Sequence, residues 1–156
     1  MLVIRIESYI EKIFLTITLT AGIALAQFGI SVAAASDSTT ARDLGASKCF
    51  ALGGIGVAGL MSEGERRLRT VLERPDVSQQ LQAALTHATL EGELYILVGL
   101  RRCDPAAYDK IFGSRPHPGS DVEVARGCII SREPFRQLLS QIHDGRFDGF
   151  LSRPAR

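Results

Sequence analysis

The stretch Thr89–Arg102, TLEGELYILVGLRR, decides how the rest of the chain is read. Thr89 supplies a hydroxyl where a helix needs its first N–H groups capped. Behind it, Leu94, Tyr95, Ile96, Leu97, Val98 and Leu100 leave almost no polar side around the helix. A helix that is apolar nearly all round has to lie inside a fold. Residues 90–102 are therefore expected as the central helix, with the other elements packed around it.

Working outward toward the N-terminus, Ser62-Glu63-Gly64-Glu65 matches a capping box, in which a hydroxyl and a carboxylate satisfy the first amides reciprocally. The helix it opens carries Leu68, Val71 and Leu72 on one face and is stopped by Pro75. Asp76 is the expected cap of a second helix, where Val77, Leu81, Ala84, Leu85 and Ala88 recur at helical spacing. Toward the C-terminus, Asp104-Pro105 is a restart signal, a capping carboxylate followed by proline at the first helical position. That fourth helix is short and ends near Phe112-Gly113. From Ser114 to Gly127 the helical period is lost. Pro116, Pro118 and Gly119 mark a loop, and Val122-Glu123-Val124 alternates as a brief strand does. Ser131 is then expected to cap a last helix with Phe135, Leu138, Leu139 and Ile142 on its inner face, closed by Gly145.

The expected architecture is all-α. It is a compact bundle or short stack of four to five helices, with an irregular segment that allows one small β pairing, preceded by an N-terminal export helix. Residues 36–48 read as a polar tether, 49–145 as the helical domain and 146–156 as a C-terminal surface tail. The segment Gly92–Phe112 resembles a tetratricopeptide or HEAT-like helical hairpin. Gly92, Tyr95, Gly99 and Tyr108 stand where such hairpins place small and aromatic packing residues, while Asp104 departs from the small residue usual there. The resemblance spans residues 92–112 and implies a helical scaffold that binds by its surface. In general pattern the chain is also similar to uncharacterised small secreted bacterial proteins, which implies no activity.

Residues Ile13–Ala26, IFLTITLTAGIALA, run without a charged side chain. A small-residue run follows at Ser31–Ser36, and Ala33 and Ala35 satisfy an A-x-A cleavage pattern. This is the three-part layout of a secretory signal peptide over residues 1–35. The alternative is an uncleaved anchor, since residues 13–35 are mostly apolar and about 20 such residues cross a bilayer core. Either way the chain is expected outside the cytoplasm, as a periplasmic or secreted protein or as a membrane-anchored one. Any membrane contact runs through residues 13–35 if they remain attached.

The full chain has 18 basic against 17 acidic residues. Residues 1–35 hold Arg5, Lys12, Glu7 and Glu11, so the remainder keeps the same balance of +1. Nucleic-acid binding needs a basic surplus and is not expected. Arg66, Arg67, Arg69 and Arg74 interleave with Glu63, Glu65 and Glu73, which reads as a solvated helix face. The chain contains no asparagine and so no glycosylation sequon.

Three cysteines remain beyond residue 35. In an oxidising compartment two usually pair. Cys49 and Cys128 each open a short apolar, strand-like run, and a Cys49–Cys128 disulfide is the expected pair, with Cys103–Cys128 second. Cys103 lies on the apolar stripe of the central helix, where a free thiol acts as a small hydrophobe.

Gly54-Ile55-Gly56-Val57-Ala58-Gly59 formally matches G-x-G-x-x-G, whose backbone amides approach a pyrophosphate when a strand precedes and a helix follows. No second strand follows at βαβ spacing, so the segment reads as a tight turn or a partner or ligand contact. His87, His117 and His143 are far apart, and no zinc spacing, nucleophile elbow or S-x-x-K motif occurs. No catalytic residue, metal ligand or cofactor is therefore assigned. The expected function is that of an exported, non-enzymatic domain working by protein–protein contact or as an envelope accessory factor. The alternative is a small exported enzyme or ligand binder. It would join the Gly-rich segment 53–59, through Gly54, Gly56 and Gly59, to His117 and Asp121 of the 114–127 loop.

Overall fold

A computed structural model of the chain describes residues 33–116 and 118–152. Along these the elements run α1 (Ala33–Gly45), α2 (Glu63–Leu72), α3 (Val77–Ala84), a 3-10 turn (Leu85–His87), α4 (Leu90–Cys103), α5 (Pro105–Ser114), β1 (Asp121–Arg126), β2 (Ile129–Pro134), α6 (Phe135–His143) and α7 (Asp148–Leu151). Residues 1–32 of the expected export segment 1–35 lie outside the described residues, as does His117. No helix among the described residues is long and apolar enough to cross a membrane.

The all-α expectation of four to five helices is corrected. The described residues form seven α-helices together with a two-stranded antiparallel sheet, a mixed architecture. The reason lies in residues 121–134. Val122, Val124 and Ala125 are buried while Asp121 and Arg126 at the strand ends are exposed, and Gly127 adopts φ 57°, which lets a two-residue Gly127-Cys128 loop reverse the chain. Arg126 then pairs with Ile129 and Val124 with Ser131. Ser131 is thus a strand residue rather than a helix cap, and the last long helix starts four residues later, at Phe135.

Helix α4 is the centre. Every residue from Gly92 to Leu100 is buried, and Thr89 Oγ1 accepts from the Gly92 amide at 3.0 Å. Around it pack α2, α3, α5, α6 and β1. Gly92 and Gly99 are small because neighbours press on them. A Cβ on Gly92 would stand 1.9 Å from the Gly45 carbonyl oxygen of α1, and one on Gly99 would meet Leu81 and Leu68. Asp104 caps α5 through the Ala107 amide at 3.0 Å, with Pro105 at its first position. Asp76 makes no such cap and instead accepts from the Gln80 side chain.

The segments expected as a polar tether and a C-terminal tail each send two apolar side chains into the core. Residues 36–48 are helical as far as Gly45, and Ala41 and Leu44 of α1 are buried. In the stretch expected as a tail, Phe147 and Leu151 are buried, and the Phe147 ring meets Phe50 edge-on at 5.3 Å. Gly145 makes this return possible. With φ 74° it ends α6 in a Schellman turn, in which Gly145 N–H donates to Ile142 and Arg146 N–H to Gln141.

Candidate functional site

The segment Phe50–Leu60 joins the β1–β2 hairpin at two points. At its start, Phe50 N–H donates to the Glu123 carbonyl at 2.8 Å and the Phe50 carbonyl accepts from Ala125 at 3.0 Å. At its far end, Ile55 and Leu60 exchange backbone hydrogen bonds at 2.7 and 2.9 Å, closing Gly56-Val57-Ala58-Gly59 into a turn. Gly56 N–H then donates to the Gly127 carbonyl at 2.8 Å. The glycines have distinct reasons. Gly54 has φ 100°, and a Cβ there would strike the Gly59 carbonyl at 2.9 Å; Gly56 and Gly59 take positive φ facing open space. The chain thus spends its glycines on a self-closed turn. Among the described residues the sheet has two antiparallel strands, which is not the strand–helix setting a dinucleotide needs.

Beneath the turn lies a polar knot. Tyr95 Oη accepts from Ala51 N–H at 2.7 Å and donates to the Ala51 carbonyl at 3.0 Å, while Ser62 Oγ donates to the same carbonyl at 2.7 Å. Ser62 also accepts from Glu65 N–H at 3.0 Å, so half of the expected capping box forms. The other half does not. The Glu65 carboxylate, nearly fully buried, accepts instead from Gly53 N–H at 2.9 Å and pairs with Arg69 at 2.9 Å. Arg69 continues to the Phe150 carbonyl at 2.7 Å, which joins the root of the glycine segment to α7. Burial pushes the Tyr95 hydroxyl above its ordinary pKa, keeping it protonated as a donor.

The outcome is a rigidly footed, apolar end to the sheet. Val57 is 98% exposed, Leu60 64%, Ile129 69% and Ile130 68%, and these are the exposed large hydrophobics of the described residues. All four stand on the glycine turn or on the hairpin tip that it touches. Sequence reading had singled out the glycines but not these side chains. A signal existed, because two consecutive isoleucines in a strand point to opposite faces and cannot both enter one core.

The other expected site residues are not assembled with them. Asp121 is exposed at the opposite end of β1, paired with Pro134. It stands six residues from Gly127, or roughly 20 Å of strand. The expected Cys49–Cys128 pair is not formed in the structure, where Cys49, Cys103 and Cys128 are free thiols. Cys49 precedes the residue bridged to Val124, while Cys128 sits at the hairpin tip beyond Arg126. That offset is ~10 Å or more of strand, past the ~7 Å Cα separation a disulfide tolerates. Burial, followed by the carboxylates of Glu123 and Glu91, raises the Cys49 thiol pKa; burial and Asp104 raise that of Cys103. Such thiols are poor nucleophiles.

Two shallow grooves lie elsewhere. One of about 440 Å³ runs past Pro75, Ser78, Gln82, Cys103 and Asp104, with Ser78 Oγ donating to Asp104 at 2.5 Å. The other, about 360 Å³, is lined by Phe112, Leu139, Ser140 and His143, whose imidazole stacks on Phe112 at 4.8 Å. Among the described residues no cluster of three His, Cys, Asp or Glu is placed to hold a metal ion. The arginines of α2 are engaged with Glu63 and Glu65. No family model matches the chain, and comparison with curated proteins and with solved structures returns no match.

Proposed function

We propose that this chain is an exported interaction domain that works through protein–protein contact, as an envelope accessory factor, and not by catalysis. One observation carries the reading. Four large aliphatic side chains, Val57, Leu60, Ile129 and Ile130, are exposed on the glycine turn and on the hairpin tip that Gly56 N–H binds through the Gly127 carbonyl. Apolar surface gathered in this way is costly to leave exposed and marks contact sites in stable proteins. Export rests on the layout of residues 1–35, an apolar core followed by small residues at Ala33 and Ala35.

The test is position-specific crosslinking in living cells. A photoreactive residue is placed at Val57 in one strain and at Asp109, exposed on α5, in another. Discrete adducts from position 57 and none from 109 are expected. Equal labelling from both positions, or none from either, refutes the reading.

A further inference from the structure

We infer that the partner of the apolar sheet end is a second copy of this chain, docked tip to tip about a two-fold axis through the β1–β2 hairpin. The inference rests on the reading that this end is the contact surface, and adds the identity of what covers it.

Area is the first argument. Ile129 and Ile130 leave the strand on opposite faces, so only an end-on contact at the hairpin tip reaches both of them together with Val57 and Leu60. A two-fold contact places the same surface on both sides, so two copies docked this way cover at most roughly 1,000 Å², the size at which a specific interface begins. Charge is the second. Phe50–Met61 contains no ionisable side chain. The charged pair nearest the tip is already neutral, because Arg126 holds Glu133 through two hydrogen bonds of 2.9 and 3.0 Å. A patch of this kind matches itself, since no like charges are driven together across the axis. An acidic or basic partner would find nothing to pair with, and an anionic bilayer would find no basic rim beyond Arg132. That residue stands two places from Ile130 and can keep its guanidinium in water on a long stem. Backbone is the third. Among the described residues no backbone hydrogen bond reaches β2 from the side away from β1, so the tip carries an open strand edge beside its isoleucines. Proteins seldom leave such an edge bare next to apolar side chains.

In this arrangement Cys128, exposed between Gly127 and Ile129, lies at the axis facing its own copy. The experiment uses the full chain, purified as the cell leaves it. Sedimentation velocity over a concentration series is expected to show a monomer–dimer equilibrium. Val57→Glu with Ile130→Glu is expected to weaken the dimer by about tenfold or more without changing the circular-dichroism spectrum. With Cys49→Ser and Cys103→Ser in place, a short bis-maleimide is expected to join two chains through Cys128. A monomer at every soluble concentration overturns the inference. So does a dimer that the double glutamate variant leaves intact and Cys128 fails to crosslink. If the purified chain is monomeric while position 57 still captures a different protein in cells, self-docking fails and the contact-surface reading stands. If position 57 captures nothing and no dimer forms, both fail.

Discussion

Gly92→Ala tests the closest approach in the fold, because two opposed effects of known size meet there. Replacing glycine by alanine inside a helix such as α4 ordinarily stabilises by about 1 kcal/mol, through lower backbone entropy in the unfolded chain. At Gly92 the new methyl would lie 1.9 Å from the Gly45 oxygen, 2.5 Å from its carbonyl carbon and 2.8 Å from its Cα. These are backbone atoms, and no rotamer change can move them. Reaching ordinary contact at 3.4 Å means driving α1 from α4 by 1.5 Å, the difference between 3.4 and 1.9. That displacement breaks the hydrogen bond that the Thr89 amide donates to the Gly45 carbonyl, 2.9 Å, while the Thr89 hydroxyl keeps its proton on the Ser47 carbonyl. The lost bond is worth about 1 kcal/mol. The displacement also loosens the packing of Ala41 and Leu44, and strain of this kind in a dense core costs about 1–3 kcal/mol. The steric side wins, and a net loss of about 1–3 kcal/mol is expected. Gly113→Ala is the control. It lies in α5 with nothing within 4 Å of the added Cβ, so it should gain about 0.5 kcal/mol. Urea unfolding followed by circular dichroism reads both. A midpoint for Gly92→Ala at or above that of the unsubstituted protein would show that α1 does not cross α4 in this way.

Tyr95→Phe leaves the Ala51 amide buried without its 2.7 Å acceptor and should cost about 1–3 kcal/mol in denaturant unfolding; no change would remove the polar knot from the account. Arg115→Ala strips Glu93, 5% exposed, of both contacts at 3.2 Å, and a loss of about 1–3 kcal/mol is expected, discounted because Arg115 is itself partly exposed. If that loss is real, Glu93→Gln in the same background should recover part of it. Cys49, Cys103 and Tyr95 all have raised pKa values in the fold, so above pH 9 the unfolded chain releases protons first. Stability should therefore decline as pH climbs from 9 through 10, and a melting temperature flat over that range would contradict the burial of these groups. N-terminal sequencing of chain recovered outside the cytoplasm should begin at Ser36; recovery of intact Met1 there points to the anchor instead.

The interior could be read from the linear order of residues. Thr89–Arg102 declared a buried helix because an apolar surface on all sides has no stable place but the inside, and α2, α3, α5, α6 and β1 pack around it. Thr89, Asp104 and Ser62 announced their helix starts through local hydrogen bonds spanning three residues, a range that sequence carries by itself. Where the sequence misled, the deciding partner lay far along the chain. Ser131 looks like a cap until Val124 pairs with it, and Cys49 and Cys128 look alike until the register sets them apart. Phe147 looks like part of a tail until Phe50, almost a hundred residues earlier, gives it a ring to pack against.

The candidate site divides along the same line. Its glycines were visible in order, because positive φ in a tight turn is a local demand. That Val57, Leu60, Ile129 and Ile130 share one exposed end was decided only when Gly56 met Gly127 across the sheet. Sequence determines which side chains are apolar; only tertiary structure decides which of them the core has no room to take in.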